Sequence, residues 1–244
     1  MNTLIKNELM KLKRLKSMYL VLILSFLPYI INTIGLLLMR GSRDAGNYYF
    51  FVFNQYAILF PTLIFIFTGY AFYMEFKNRT LMQWMSYPHS NFRLILSKMI
   101  STFILLMAFS LLNQLALFVT LWTAYAESVT IIQLASWFAG SFSFAFLSLF
   151  SIPIAAVLAF ITRNIVGVIL TGVASIFITT ILLGLNLSIT YPFSYIYRVT
   201  IRLYDSSFGY PGIQWYLWGA VILLGYTGIS SLLLYITVRN PRLS

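Results

Sequence analysis

The chain has 244 residues, 60% hydrophobic and 9% charged, with a mean hydropathy of +0.87. A soluble domain carries about a quarter charged residues, so this composition cannot clothe a water-facing surface and a soluble fold is excluded. The formal charge of +11 sits in short segments between long apolar runs, a placement that suits anionic lipid headgroups rather than nucleic acid.

Residues 2–16, NTLIKNELMKLKRLK, open the chain. At about 100° per residue, Leu4, Ile5, Leu9, Leu12 and Leu15 share one arc, and Lys6, Lys11, Lys13, Arg14 and Lys16 occupy most of the remainder. This pattern predicts an amphipathic helix lying in the membrane interface. Glu8 projects near the middle of the apolar arc, where an acid needs a partner or stays an unpaired interfacial charge. Six apolar runs follow, over about 17–39, 48–74, 95–122, 131–161, 165–187 and 214–238, each long enough to cross a bilayer as a helix. The first is read as an uncleaved span, because no small-residue cleavage site follows it. Pro153 predicts a bend in the fourth, and Arg163-Asn164 a tight turn into the fifth. The fold class is an all-α membrane protein with six transmembrane helices and an N-terminal amphipathic interface helix.

Orientation follows from Lys and Arg. With the N-terminus inside, the inner segments hold twelve of these residues and the outer ones four, which together make the sixteen of the chain. Both termini are therefore expected in the cytoplasm, with the segment after the second span facing the same side.

Several kinds of membrane-embedded chemistry lack their residues. There is no cysteine and one histidine, so a two-histidine zinc centre is excluded and no metal site is expected. Asp44 and Asp205 fall in outer segments, away from the buried pair an aspartyl protease needs. The span interiors read as free of Asp, Glu, Lys and Arg, which argues against ion-coupled transport. Asn113 and Gln114 in the third span are either inter-helix glue or contacts for a transported ligand.

The stretch 75–98, EFKNRTLMQWMSYPHSNFRLILSK, interrupts the apolar pattern. Glu75 closes the second span, and residues 80–85 are helix-competent until Pro88 breaks the run. Ser90 or Asn91 can then cap a helix that carries Arg93 and Lys98 into the third span. The expected object is a short membrane-parallel helix, a Pro-containing turn and a rising helix.

Glu75, Arg79-Thr80-Leu81, Pro88-His89-Ser90, Arg93 and Lys98 together resemble the signature of type 2 ABC exporter permeases. Asn7-Glu8-Leu9 with Lys11 is similar to that family's opening interface helix. Arg79 stands where many members have glycine, and Arg before Thr looks more like the small permeases of lantibiotic and bacteriocin self-immunity transporters. The resemblance implies that Glu8, Glu75, Arg79, Thr80, Pro88 and Lys98 form a coupling surface for a separate cytoplasmic ABC ATPase, present in two copies, which alone binds ATP and Mg. Arg79 or the ATPase is then the expected partner of Glu8. The resemblance also implies a second permease, identical or homologous, no cofactor or catalytic residue on this chain, and residence in a bacterial plasma membrane. The implied function is export of an amphipathic molecule, with an antimicrobial peptide as first choice. A drug, a lipid-linked glycan or another peptide on the same scaffold, and a non-transport membrane scaffold, are the rival readings. The aromatic segment 188–213 fits an interfacial belt or a lateral gate in which Tyr195, Arg198 and Arg202 meet the cargo. In the family this segment re-enters the membrane.

Overall fold

A computed structural model describes residues 1–38, 44–77 and 90–239, and the secondary structure among them is helical. Helix α1 (Asn2–Lys13) ends where the Arg14 and Leu15 amides fold back on the Lys11 and Leu12 carbonyls, each at 3.1 Å. That tightened turn lets α2 (Lys16–Leu38) leave in a new direction. Helix α3 (Ala45–Lys77) has 33 residues and α4 (Asn91–Ala124) has 34. At about 1.5 Å per residue each is near 50 Å long, well beyond a hydrocarbon core of about 30 Å, so both tilt or project past the bilayer. Helix α5 (Ile131–Ser148) starts on a reciprocal cap in which Thr130 and Gln133 satisfy each other's backbone amides.

The fourth apolar run then breaks into a 3-10 turn over Leu149–Ser151 and α6 (Ile152–Thr162). Proline causes the break. Pro153 has no N–H to offer the Leu149 carbonyl, and the Ile152 amide reaches that carbonyl instead. Arg163 turns the chain with φ of 47°, and the Asn164 side chain accepts the Val166 amide at 2.9 Å to cap α7 (Ile165–Leu183). After a 3-10 turn at Asn186–Thr190 come α8 (Pro192–Ile201), a 3-10 turn at Ser206–Phe208, and α9 (Ile213–Arg239).

Among the described residues six stretches are long and apolar enough to cross a membrane: Met18–Leu38, Ala45–Lys77, Asn91–Ala124, Ile131–Thr162, Ile165–Leu183 and Ile213–Thr237. The expected all-α class with six spans and a preceding short helix therefore holds. The fifth span is shorter than the 165–187 anticipated, because the chain turns at Gly184 and Pro192 begins a separate helix.

Helix α3 is the axis of the bundle and packs on α7, α2 and α6. The α3–α7 seam is close because glycine permits it. A Cβ on Gly69 would lie 2.7 Å from Val168 Cγ1, and one on Gly172 would lie 2.9 Å from Phe65 Cβ. Small residues at helix crossings are how membrane bundles gain dispersion contact, since lipid supplies no hydrophobic drive between helices. Polar side chains add crosslinks: Asn32 Nδ2 donates to Gln55 Oε1 at 2.9 Å between α2 and α3, and Thr62 Oγ1 to the Gly172 carbonyl at 2.9 Å.

Candidate functional site, a buried charge cluster at one end of the bundle

Helix α1 lays Leu4 and Leu12 against the bundle and packs mainly on α4. Ser101 Oγ of α4 donates to the Ile5 carbonyl at 3.2 Å, which fixes the register of the two helices. In that register Glu8 points inward, only 4% exposed, toward the last turns of α3 and the first turns of α4. It meets Lys98 there, 2% exposed, and Glu75, 7% exposed.

Lys98 Nζ lies 2.7 Å from Glu8 Oε2 and 2.8 Å from Glu75 Oε1. Lys11 closes the cluster from outside, 3.0 Å from Glu8 Oε1 and 3.7 Å from Glu75 Oε1. Among the described residues two carboxylates and two ammonium groups balance, the condition for burying such charges at all. Burial by itself lowers the Lys11 pKa, but Glu8 and then Glu75 outweigh it and hold the value above the usual 10.5. A cavity of about 280 Å³ adjoins the cluster, lined by Lys11, Arg14, Leu15 and Met74 among others. The arrangement offers no nucleophile–base pair and, among the described residues, no metal-ligating group. Its chemistry is mechanical: one ammonium pins three helices that are remote in sequence.

Two expectations need correcting. The third apolar run is not free of charge, since Lys98 lies seven residues into α4 and is buried there. Position 98 falls inside the run of 95–122, whereas Glu75, just past the second run, stands two residues before the end of α3. Glu8 was expected to pair with Arg79 or with a partner protein, and its ion-pair partners here are Lys98 and Lys11. Nothing in local spacing announces Lys98, which is 90 residues away. Arg79, Thr80 and Pro88, with the expected membrane-parallel helix, lie outside the described residues. Ser90 does precede α4 in the extended conformation of an N-cap, though without a side-chain capping bond.

The other candidates lie elsewhere. Gln114 Nε2 donates to Ser110 Oγ and to the Ser141 carbonyl of α5, both at 3.0 Å. Asn113 Oδ1 and Gln114 Oε1 are buried without a hydrogen-bond partner. Tyr195 Oη donates to the Tyr216 carbonyl at 2.8 Å. The Arg198 guanidinium donates to the Leu183 carbonyl at 2.8 Å and stands 5.5 Å from the Tyr210 ring centre. Arg202 stacks on Tyr216 at 5.1 Å. These three residues thus bind α8 to its neighbours, α7 and α9, at the end of the bundle away from Lys98.

Sequence reading singled out the aromatic segment 188–213, which contains Tyr204, but passed over Tyr49 and Trp137, which pack with it at that far end. Tyr49 stacks on Trp137 with ring centres 4.9 Å apart and packs on Tyr204 at 5.5 Å. Its hydroxyl donates to the Trp137 carbonyl at 2.9 Å. The density of aromatics in the segment was the available signal, but their partners on α3 and α5 required the fold.

No curated protein matches the chain. The model of one family, described as ABC-2 family transporter protein, matches residues 4–178, from α1 through most of α7 and so including Glu8, Glu75 and Lys98. That match spans well over half of the sequence, and with six spanning helices behind a short helix braced by buried charge, the chain belongs to the ABC-2 family of transporter proteins.

Proposed function

We propose that this chain is the permease subunit of an ATP-driven exporter, and that the Glu8–Lys98–Glu75 cluster transmits the motion of a cytoplasmic ABC ATPase into the spans. Family membership supports an ABC transporter membrane subunit that associates with an ABC ATPase. The observation that carries the mechanical part is the double ion pair of Lys98 with α1 and α3. A displacement of α1, or of the segment leaving α3, must move α4 as well unless two buried charge pairs break. Breaking such a pair costs about 3–5 kcal/mol, so the three helices respond as one lever.

Glu8 and Glu75 are too buried to be grasped from outside. They act as braces, and the ATPase meets the exposed face of α1, which presents Lys6, Asn7, Met10 and Lys13, together with the segment containing Arg79, Thr80 and Pro88. In the working assembly two copies of this permease, or this chain and a homologue, sit on two ATPases, with termini in the cytoplasm of a bacterial cell. The cargo is an amphipathic molecule, a cationic antimicrobial peptide first among them, expelled for self-immunity or resistance. Asn113 and Gln114, with unpaired buried oxygens, and the Tyr195, Arg198 and Arg202 group are the positions at which it is met.

The deciding experiment is affinity purification of the tagged chain from its native membrane, followed by ATPase assay in proteoliposomes. Co-purification of an ABC ATPase whose turnover rises with a lantibiotic, and not with drugs or lipid-linked glycans, is the expected result. A chain that brings down no ATPase, in cells where Glu75→Gln has no phenotype, is a scaffold and not an exporter subunit.

A further inference from the structure

On the side of the bundle formed by α4, the break in the fourth span and α9 lies a groove of about 200 Å³. Its walls are Leu96, Met99, Ile100 and Phe103 of α4, Leu149, Phe150, Ile152 and Pro153 around the 3-10 turn, and Thr227 of α9. Phe103, Phe146 and Phe150 form a chain of edge-on rings beside it, with centres 5.9 and 5.6 Å apart. The break creates the space, because a continuous helix through 149–153 would carry its side chains along a straight path.

The groove offers an occupant no polar handle. Thr227 is its one polar side chain, and the hydroxyl is engaged with the Leu223 carbonyl at 2.9 Å and the Phe150 carbonyl at 3.2 Å. The carbonyl freed by Pro153 is already satisfied by the Ile152 amide. A volume of about seven times the ~30 Å³ share of one water, lined this way, does not hold water. The occupant must be apolar and slender.

Depth and charge identify it. At about 1.5 Å per residue, Leu96 to Phe103 lie about 8 to 18 Å along α4 from Asn91, the depth at which acyl chains begin below the headgroup layer. Arg93, Leu96, Ile100 and Phe103 fall at spacings of three, four and three, on one stripe of the helix. The Arg93 side chain is exposed and makes no hydrogen bond or ion pair with any described residue. We infer that the groove seats one acyl chain of an anionic phospholipid whose phosphate is held by Arg93, on the same side of the membrane as α1. Arginine suits that task because its planar fork pairs with phosphate oxygens two at a time.

The test does not depend on the ATPase reading, since it uses the purified chain and lipid alone. Native mass spectrometry after delipidation in an equimolar mixture of phosphatidylglycerol and phosphatidylcholine should show one phosphatidylglycerol retained per chain. Arg93→Gln should cut that retention at least fivefold, to the level of phosphatidylcholine, and Leu96→Trp, which fills the groove, should lower both. Equal retention of the two lipids by the unaltered chain, or no change with Arg93→Gln, overturns the inference. The chain has no cysteine, so Met99→Cys gives a unique thiol that keeps the question open to test if Leu96→Trp does not fold. A bimane on that thiol should be quenched more by acyl-brominated phosphatidylglycerol than by brominated phosphatidylcholine. Oxidative dimerisation through the same thiol in native membranes would instead mean that a second copy fills the groove, which also overturns the proposal.

Discussion

Lys98 is the residue on which the α1 end of the molecule depends. Replacing it by Met leaves Glu8 and Glu75 buried opposite each other without the ammonium that bridges them, and should cost about 3–5 kcal/mol. Replacing all three, as Glu8→Gln, Glu75→Gln and Lys98→Met together, removes the charges along with the attraction and should recover most of the loss. Thermal unfolding in detergent separates these outcomes, and a triple variant no better than Lys98→Met would show that the cluster is not a closed charge unit. Lys11 adds a pH signature. Its folded-state pKa lies above the usual 10.5 because Glu8 and Glu75 outweigh its partial burial, so its contribution is complete below that value and fades as pH climbs through the raised one. Stability should therefore fall above about pH 10.5, and Lys11→Met should flatten that part of the pH–stability curve.

At the scale of elements, the α3–α7 crossing and the α6–α7 turn carry the sharpest constraints. Gly69 and Gly172 allow the crossing because each faces a neighbouring side chain at a distance no Cβ can share. Gly172→Leu should overpack the seam and cost about 1–3 kcal/mol, read as a lower melting temperature with helix content unchanged. Arg163 stands in the left-handed region with φ of 47°, where a branched Cβ is most strained. Arg163→Val should cost about 1–2 kcal/mol, whereas Arg163→Gly removes the strain and should be the milder change. If the two variants unfold together, the turn is not set by backbone conformation.

For the whole molecule, the bundle has two dissimilar ends. One is a charge-braced junction in which α1, α3 and α4 meet, and the other is an aromatic and hydrogen-bonded cap in which α8 joins α7 and α9. Reversing exposed charges on α1, as Lys6→Glu with Lys13→Glu, should leave the stability within about 0.5 kcal/mol of the parent and abolish co-purification of the ATPase. Retention of the ATPase by that variant would place its contact elsewhere.

How much of this was legible in sequence differs with the range of the interaction. The spans, the amphipathic α1, the turn at Arg163-Asn164 and the break at Pro153 were readable, because hydropathy and the missing proline N–H act within a few residues. Glu8 was recognisable as an acid on an apolar arc, a position that demands a partner, but the partner was not. Ion pairing between positions 8, 75 and 98 depends on where three helices cross, and linear spacing carries no record of that. The same holds for the groove, where Leu96, Phe150 and Thr227 come together only because Pro153 breaks one helix beside two others. Sequence by itself determined that the chain lives in a membrane and which segments cross it, since transfer from water to lipid is a sum over local residues. Tertiary structure alone decided that Lys98 is a buried brace and not a boundary charge, since the energy of a buried ion depends on which opposite charges packing brings into contact with it.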